Sequence, residues 1–239
     1  MVWHTDSVLN VLHLMAAMAY RVMRYARLSF EARLIEYDFV KLSIPDSKGL
    51  KQKILDIGSG GSSLPGDLAK IGKETYSIDF RPPPRKCSFT FVQGDVRQMP
   101  FLDDFFDIVT IVSTIEHVGL GRYGDPIDTD GDKKAIEEIR RIVKPGGMLI
   151  MTIPCGYDTI CYSKDRVPLG KVYSSQSLLR LLLAFQIMEM SYISKRKRVW
   201  FDTSLHQAEK AVRQANPDKV GMTAIALIVV HKPKDNLNE

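Results

Sequence analysis

The chain reads as an α/β protein: a doubly wound, mostly parallel seven-stranded sheet with an N-terminal helical extension. Three observations predict this. From Lys53 onward, short apolar runs alternate with segments of helical patterning, the grammar of a parallel sheet covered on both faces. The first of those runs, KILDIG, ends in glycines and leads into a helix start rather than a hairpin. The length of 239 residues suits one core domain with an added element.

Residues 1–50 form the predicted extension or lid. Asp6 or Ser7 offers a cap, and Val8, Leu12, Met15 and Ala19 follow at helical spacing. Arg21, Arg24 and Arg27 come next, then a second helical patch from Phe30 to Leu42, and a turn-rich joint, SIPDSKG, at 43–49. The core domain spans 51–232. Its expected strands are KILDIG, TYSIDF, SFTFVQGD, FDIVTIVST and GMLIMTIP, with a helix over 132–143 before the last of these. An irregular stretch is expected after Pro154. A helix near 174–185, a strand near 186–194, a polar helix near 203–215 and a final strand ending near Val230 complete the domain. The tail, 233–239, is expected to fray.

Composition narrows the classes. A net charge of +5 permits an anionic partner without requiring one. The three cysteines, Cys87, Cys155 and Cys161, contain no CxxC pair, so a disulfide framework or zinc knuckle is not expected and a reducing cytoplasm is the simplest location. No apolar run reaches the roughly 18 residues of a transmembrane helix. No Lys or Arg precedes the first apolar stretch, which argues against a signal peptide. The apolar then arginine-rich N-terminal helix suits packing on the sheet or lidding a pocket, with weak membrane-surface contact as the alternative. The oligomeric state is not readable.

The sequence ILDIGSGGSSLP places Asp56, Gly58, Ser59 and Gly60 at the end of the first core strand. Glycines there let the backbone approach a ligand, and the next helix offers its N-terminal amides. Asp79 ends the second strand, about 20 residues further on, where an acid accepts hydrogen bonds from ribose hydroxyls. A dinucleotide requires G-x-G-x-x-G/A; Gly58 and Gly60 fit, but Ser63 breaks the pattern. S-adenosylmethionine has no pyrophosphate to cradle, and Asp56, which would repel a pyrophosphate, suits its ammonium group.

This pattern resembles the class I S-adenosylmethionine-dependent methyltransferases. GDVRQMPFLDDFFDIV (94–109) is similar to the family's link between third and fourth strands, and EIRRIVKPGGMLIMTIP (138–154) to its helix, KPGG turn and fifth strand. The resemblance covers residues 53–154. It implies a Rossmann-like methyltransferase fold and S-adenosyl-L-methionine as cofactor. It further implies that Asp56, Gly58, Ser59 and Gly60 line the methionine part, Asp79 and Phe80 hold the ribose, Asp95 takes the adenine amino group with Val96 against the ring, and Ser113 and Thr114 lie beneath the sulfonium. Ser62 stands where many members have a third glycine. The loop IEHVGLGRYGDPID is similar to a small methyltransferase-like group, some members of which are linked to glycan synthesis.

That loop leaves the fourth strand at the end where ligands of open parallel sheets bind. It carries Glu116, His117, Arg122, Tyr123 and Asp125, more chemistry than a connector needs. His117 is the first candidate for a base, because its ordinary pKa lies near neutrality; Tyr123, Asp125 and Glu116 follow. Arg122 and Tyr123 are the candidate substrate-positioning residues. No metal site is expected, because Gly131 breaks the calcium-loop pattern among Asp128, Asp130 and Asp132. Cys155 reads as a buried, inert thiol. The expected activity is O-methylation of a small-molecule or glycan-like acceptor. An RNA methyltransferase is the alternative, suggested by the basic balance; KRKRVW (195–200) would grip phosphate and stack a base or sugar on Trp200, or else is a solvated strand end. A non-catalytic S-adenosylmethionine-binding subunit is the third reading.

Overall fold

A computed structural model of the chain describes residues 32–46, 51–83, 86–196, 199–214 and 223–234. The elements run α1 (Ala32–Ser43), β1 (Lys53–Ile57), α2 (Leu64–Lys70), β2 (Glu74–Asp79), β3 (Thr90–Gln93), β4 (Phe106–Val112), a 3-10 turn (Ile115–His117), α3 (Gly131–Ile142), β5 (Val143–Gly156), β6 (Thr159–Tyr162), β7 (Pro168–Ser174), α4 (Ser175–Leu181), β8 (Gln186–Arg196), β9 (Val199–Thr203), α5 (Leu205–Gln214) and β10 (Ala224–His231). The expected helix from Asp6 through Arg27 lies outside the described residues, as do 235–239.

The sheet order is β3-β2-β1-β4-β5-β10-β8-β9. The first five strands pair in parallel. Strand β10 inserts antiparallel between β5 and β8. The seven expected strands are therefore present, and three more extend them. The additions correct the reading above in two places. The stretch after Pro154 is a β6–β7 hairpin, with β7 paired in parallel to Cys155 and Gly156 of β5. Pro168 begins β7, where a missing N–H is tolerated. KRKRVW belongs to a second hairpin: β8 continues to Arg196 and returns as β9. Trp200 is 5% exposed and packs with Ile193 and Ile225, so its ring offers no face to a base.

The two faces of the sheet bury separate cores. Along β10, Ile225, Leu227 and Val229 join one cluster, while Ala226, Ile228 and Val230 join the other. This strict alternation follows from the period of two in a strand. Ile35, Phe39 and Val40 of α1 and Leu64 and Leu68 of α2 cover the first face. Ala135, Ile136 and Ile139 of α3, Leu178 of α4 and Ala208 of α5 cover the second. Two-sided covering explains why the central strands read as continuous apolar runs. No helix among the described residues is long and apolar enough to cross a membrane.

At the amino end of β4, Phe106 is fully buried and meets Phe101 and Phe105 edge-on, both at 4.9 Å between ring centroids, and Tyr76 at 5.4 Å. This wedge anchors the end of the sheet opposite the glycine turn. Phe106→Ala should cost about 3–5 kcal/mol through lost transfer energy and the cavity left behind, read as a lower urea midpoint with an unchanged slope.

Candidate functional site

At the carboxyl ends of β1, β2 and β4 lies a cavity of about 380 Å³, within the range of small-ligand sites. All ten residues assigned to the cofactor by resemblance line it: Asp56, Gly58, Ser59, Gly60, Asp79, Phe80, Asp95, Val96, Ser113 and Thr114. Of the loop residues, His117, Tyr123 and Asp125 line it too.

The glycine turn is locked from two sides. Gly58 has φ +76°, and a Cβ there would lie 2.3 Å from Thr114 Cγ2. Its amide donates to Ile78 O at 2.8 Å, tying the turn to β2. Asp79 Oδ2 accepts from Gly60 N at 2.7 Å, and Oδ1 accepts from Arg81 N at 2.9 Å. Each oxygen retains a second lone pair for a ligand.

Asp56 is buried, and Thr110 Oγ1 donates to its Oδ1 at 2.7 Å. Burial pushes its carboxyl up to about 7, against the Thr110 bond and the Arg33 charge. An opposite charge placed beside it in the cavity favours its ionised form. Asp95 is occupied differently: Arg97 grips both oxygens, at 2.6 Å to Oδ2, and also donates to Pro126 O at 2.9 Å. Burial opposes ionisation of Asp95, but the Arg97 hydrogen bonds prevail and hold its carboxyl below the usual range. Asp95 thus ties down the loop that carries Tyr123 and Asp125 as well as lining the cavity.

Helix α1 supplies residues that carry no family motif. Glu36 is buried; Thr152 Oγ1 donates to its Oε1 at 2.6 Å, and Ser113 Oγ donates to the same oxygen. These contacts hold Ser113 at φ +43°, an unusual conformation for serine, with Ser113 N donating to Thr152 O at 3.0 Å. Arg33 donates to Val112 O at 3.0 Å and lies 3.6 Å from Glu36. Tyr37 OH donates to Ser62 Oγ at 2.7 Å. Arg33 and Tyr37 both line the cavity. One signal was present in the sequence: Glu36 stands beside Ile35 and in register with Phe39 and Val40, an acid on the apolar face of a helix.

The loop after β4 folds on itself. Asp125 accepts from Gly119 N at 3.0 Å and from Tyr123 N at 3.2 Å. The Tyr123 ring meets His117 edge-on at 5.6 Å, and the Arg81 guanidinium lies 4.4 Å from its centroid. Burial, then the Arg122 charge, lower His117 to about 4, so its imidazole is neutral at physiological pH. Two expected residues sit outside the cavity lining. Arg122 turns away and donates to Leu169 O of β7. Glu116 is fully buried beside His117, and burial raises its carboxyl to about 8.

Asp128 and Asp130 pair with Lys134 at 2.8 Å and Lys133 at 2.7 Å. Among the described residues no group of three His, Cys, Asp or Glu side chains is arranged for a metal. Cys155 is buried and pushed up to about 12, which keeps it a thiol.

This fold is that of the class I S-adenosylmethionine-dependent methyltransferases. The 1,6-didemethyltoxoflavin-N1-methyltransferase of Burkholderia thailandensis, solved with S-adenosylhomocysteine and 1,6-didemethyltoxoflavin, superposes with a TM-score of 0.60 at 13% identity, covering 98% of this chain and 92% of that one. Within this fold the chain belongs to a family described as "Caenorhabditis protein of unknown function, DUF268", whose model matches residues 91–220. Among curated relatives, a demethylmenaquinone methyltransferase of Paenarthrobacter aurescens is 28% identical over 163 residues, 63% of this chain and 57% of that protein. The ubiquinone/menaquinone biosynthesis C-methyltransferase UbiE of Vibrio vulnificus is 29% identical over 142 residues, 53% of this chain and 47% of that protein. The chain spans about half the length of the curated relatives it matches.

Gly58→Ala should deform the turn, because both the positive φ and the Thr114 side chain oppose a methyl group. The expected loss is about 1–3 kcal/mol of stability, measured by denaturant unfolding.

Proposed function

We propose that this protein transfers a methyl group from S-adenosylmethionine to an oxygen of a small-molecule or glycan-like acceptor. The observation that carries the reading is one cavity holding a buried acid, Asp56, a glycine turn, and a ribose-type acid, Asp79, with the neutral imidazole of His117 at its rim. Asp56 suits the aminoacyl ammonium, the turn from Gly58 to Gly60 suits close backbone approach, and Asp79 suits the ribose hydroxyls. Bound there, S-adenosylmethionine would supply an electrophilic methyl carbon, its sulfur keeping the electron pair of the broken sulfur–carbon bond, and the acceptor would give up a proton. His117 takes that proton, and Tyr123 and Asp125 shape the space around the acceptor. The names of the curated relatives favour a second reading, a carbon acceptor, which also must lose a proton.

Calorimetry should detect binding of S-adenosylhomocysteine and none of NAD; the reverse result sinks the reading. Asp79→Ala should weaken that binding by about 1–3 kcal/mol. The ammonium pairs only with ionised Asp56. Affinity should therefore rise with pH through about 7 and weaken as pH falls below it, and Asp56→Asn should be weaker with a flattened profile. His117→Ala should leave adenosylhomocysteine binding intact and, once an acceptor is found, slow turnover about 10²–10⁴-fold. Mass and NMR analysis of the product separates oxygen from carbon methylation.

A further inference from the structure

Three buried polar atoms cluster behind the cavity without a well-formed hydrogen bond: both carboxylate oxygens of Glu116 and Nδ1 of His117. Such orphans are rare in native interiors and call for a physical account. The two side chains adjoin, with His117 Nε2 3.8 Å from Glu116 Oε1. Strand β7 seals them: a Cβ on Gly170 would stand 3.2 Å from His117 Cε1 and 3.3 Å from Glu116 Cγ. His117 faces the cavity while Glu116 does not line it.

We propose that Glu116 is a positioning residue that acts through His117, its carboxylate balancing the imidazolium formed when His117 takes the acceptor proton. The inference rests on the methyl-transfer reading above. Alone in this dry pocket, with the Arg122 charge nearby, the imidazole is a weak base. An ionised Glu116 beside it makes protonation favourable, because Coulomb attraction at this distance is large where water is excluded. The proton moves from the acceptor to the imidazole, the pair becomes carboxylate and imidazolium, and the proton then leaves to solvent.

The surroundings set the resting state. Glu116 faces Glu36 and Arg33 of α1, Arg122 of the loop, and Tyr173 of β7; His117 faces Arg33, Arg122 and Asp125. Burial and the Glu36 charge keep Glu116 protonated until about pH 8, while its own backbone amide and then the two arginines oppose them. The pair therefore holds one proton at neutral pH, on Glu116, and becomes competent as that proton is lost. Two such groups titrate as a unit, so each reports the other's ionisation.

The test uses the full chain with ¹³C-labelled histidine, the His117 ring signal being identified by its loss in His117→Gln. In the wild type this signal should show an inflection near pH 8, where Glu116 ionises. An infrared band of a protonated carboxyl should vanish over the same range. Glu116→Gln should abolish both. A ring signal flat across that range, or an inflection that survives Glu116→Gln, overturns the proposal. Should Glu116→Gln not fold, Glu116→Asp serves instead: the ring inflection and the carboxyl band should move together to the new carboxyl's midpoint, and an inflection that stays while the band moves overturns the pair. Adenosylhomocysteine calorimetry on the same proteins keeps the two ideas apart. Retained binding without the inflection sinks the pair alone; an inflection without binding sinks the cofactor reading, and with it the pair's role in methyl transfer, though the two groups still titrate together.

Discussion

Everything at the site hangs on the parallel pairing of β1 with β4. Strand β1 is flanked by β2 on one side and β4 on the other, so the chain leaves its neighbours in opposite directions and opens a crevice at their carboxyl ends. The same register sets Asp56 opposite Thr110, whose hydroxyl is the donor to the buried carboxyl. It also brings Thr114, just past β4, against the turn after β1, where only a glycine fits at 58. Slipping this pair by one residue would turn Asp56 to the other face of the sheet and separate it from its donor.

Helix α1 closes the crevice with a buried carboxylate. Glu36 bonds hydroxyls from the end of β4 and from β5, drawing one helix and two strands to a common point. A charge so buried persists only with partners, and Arg33, itself bonded to Val112 O, stands within ion-pair distance. Because Arg33 and Tyr37 of this helix line the cavity, the element that seals the site also shapes it.

Low polarity inside this arrangement makes charge conditional. Asp56 and Glu116 are pushed towards their neutral forms and His117 towards its free base, with burial the leading cause for all three. Such a site holds acids and a base whose charges are easily altered by a ligand. That follows from excluding water, and the β6–β7 hairpin does much of the excluding: Gly170 lies against both Glu116 and His117, and Leu169 O takes the Arg122 guanidinium.

The sequence by itself determined the strand–turn–helix grammar from Lys53 to Pro154, and its resemblance to a known family pointed to ten of the residues that line the crevice. Asp56, the glycines and Asp79 are legible because strand ends are marked locally by apolar runs, glycines and acids. The tertiary structure alone decided what distant segments do to them. Glu36 meets Ser113 and Thr152 across long stretches of chain, and no local pattern encodes that meeting beyond one acid on an apolar helix face. Pro168 and the polar turn between β6 and β7 made that hairpin read as irregular, because its strands gain their stability from pairing with each other and with β5. Arg122 and Trp200 looked available in the sequence and are engaged in the fold, one by a backbone carbonyl and one by the core. Residue type announces which chemistry a side chain can perform; only packing fixes its direction and whether water reaches it, and on those two things its charge and reactivity depend.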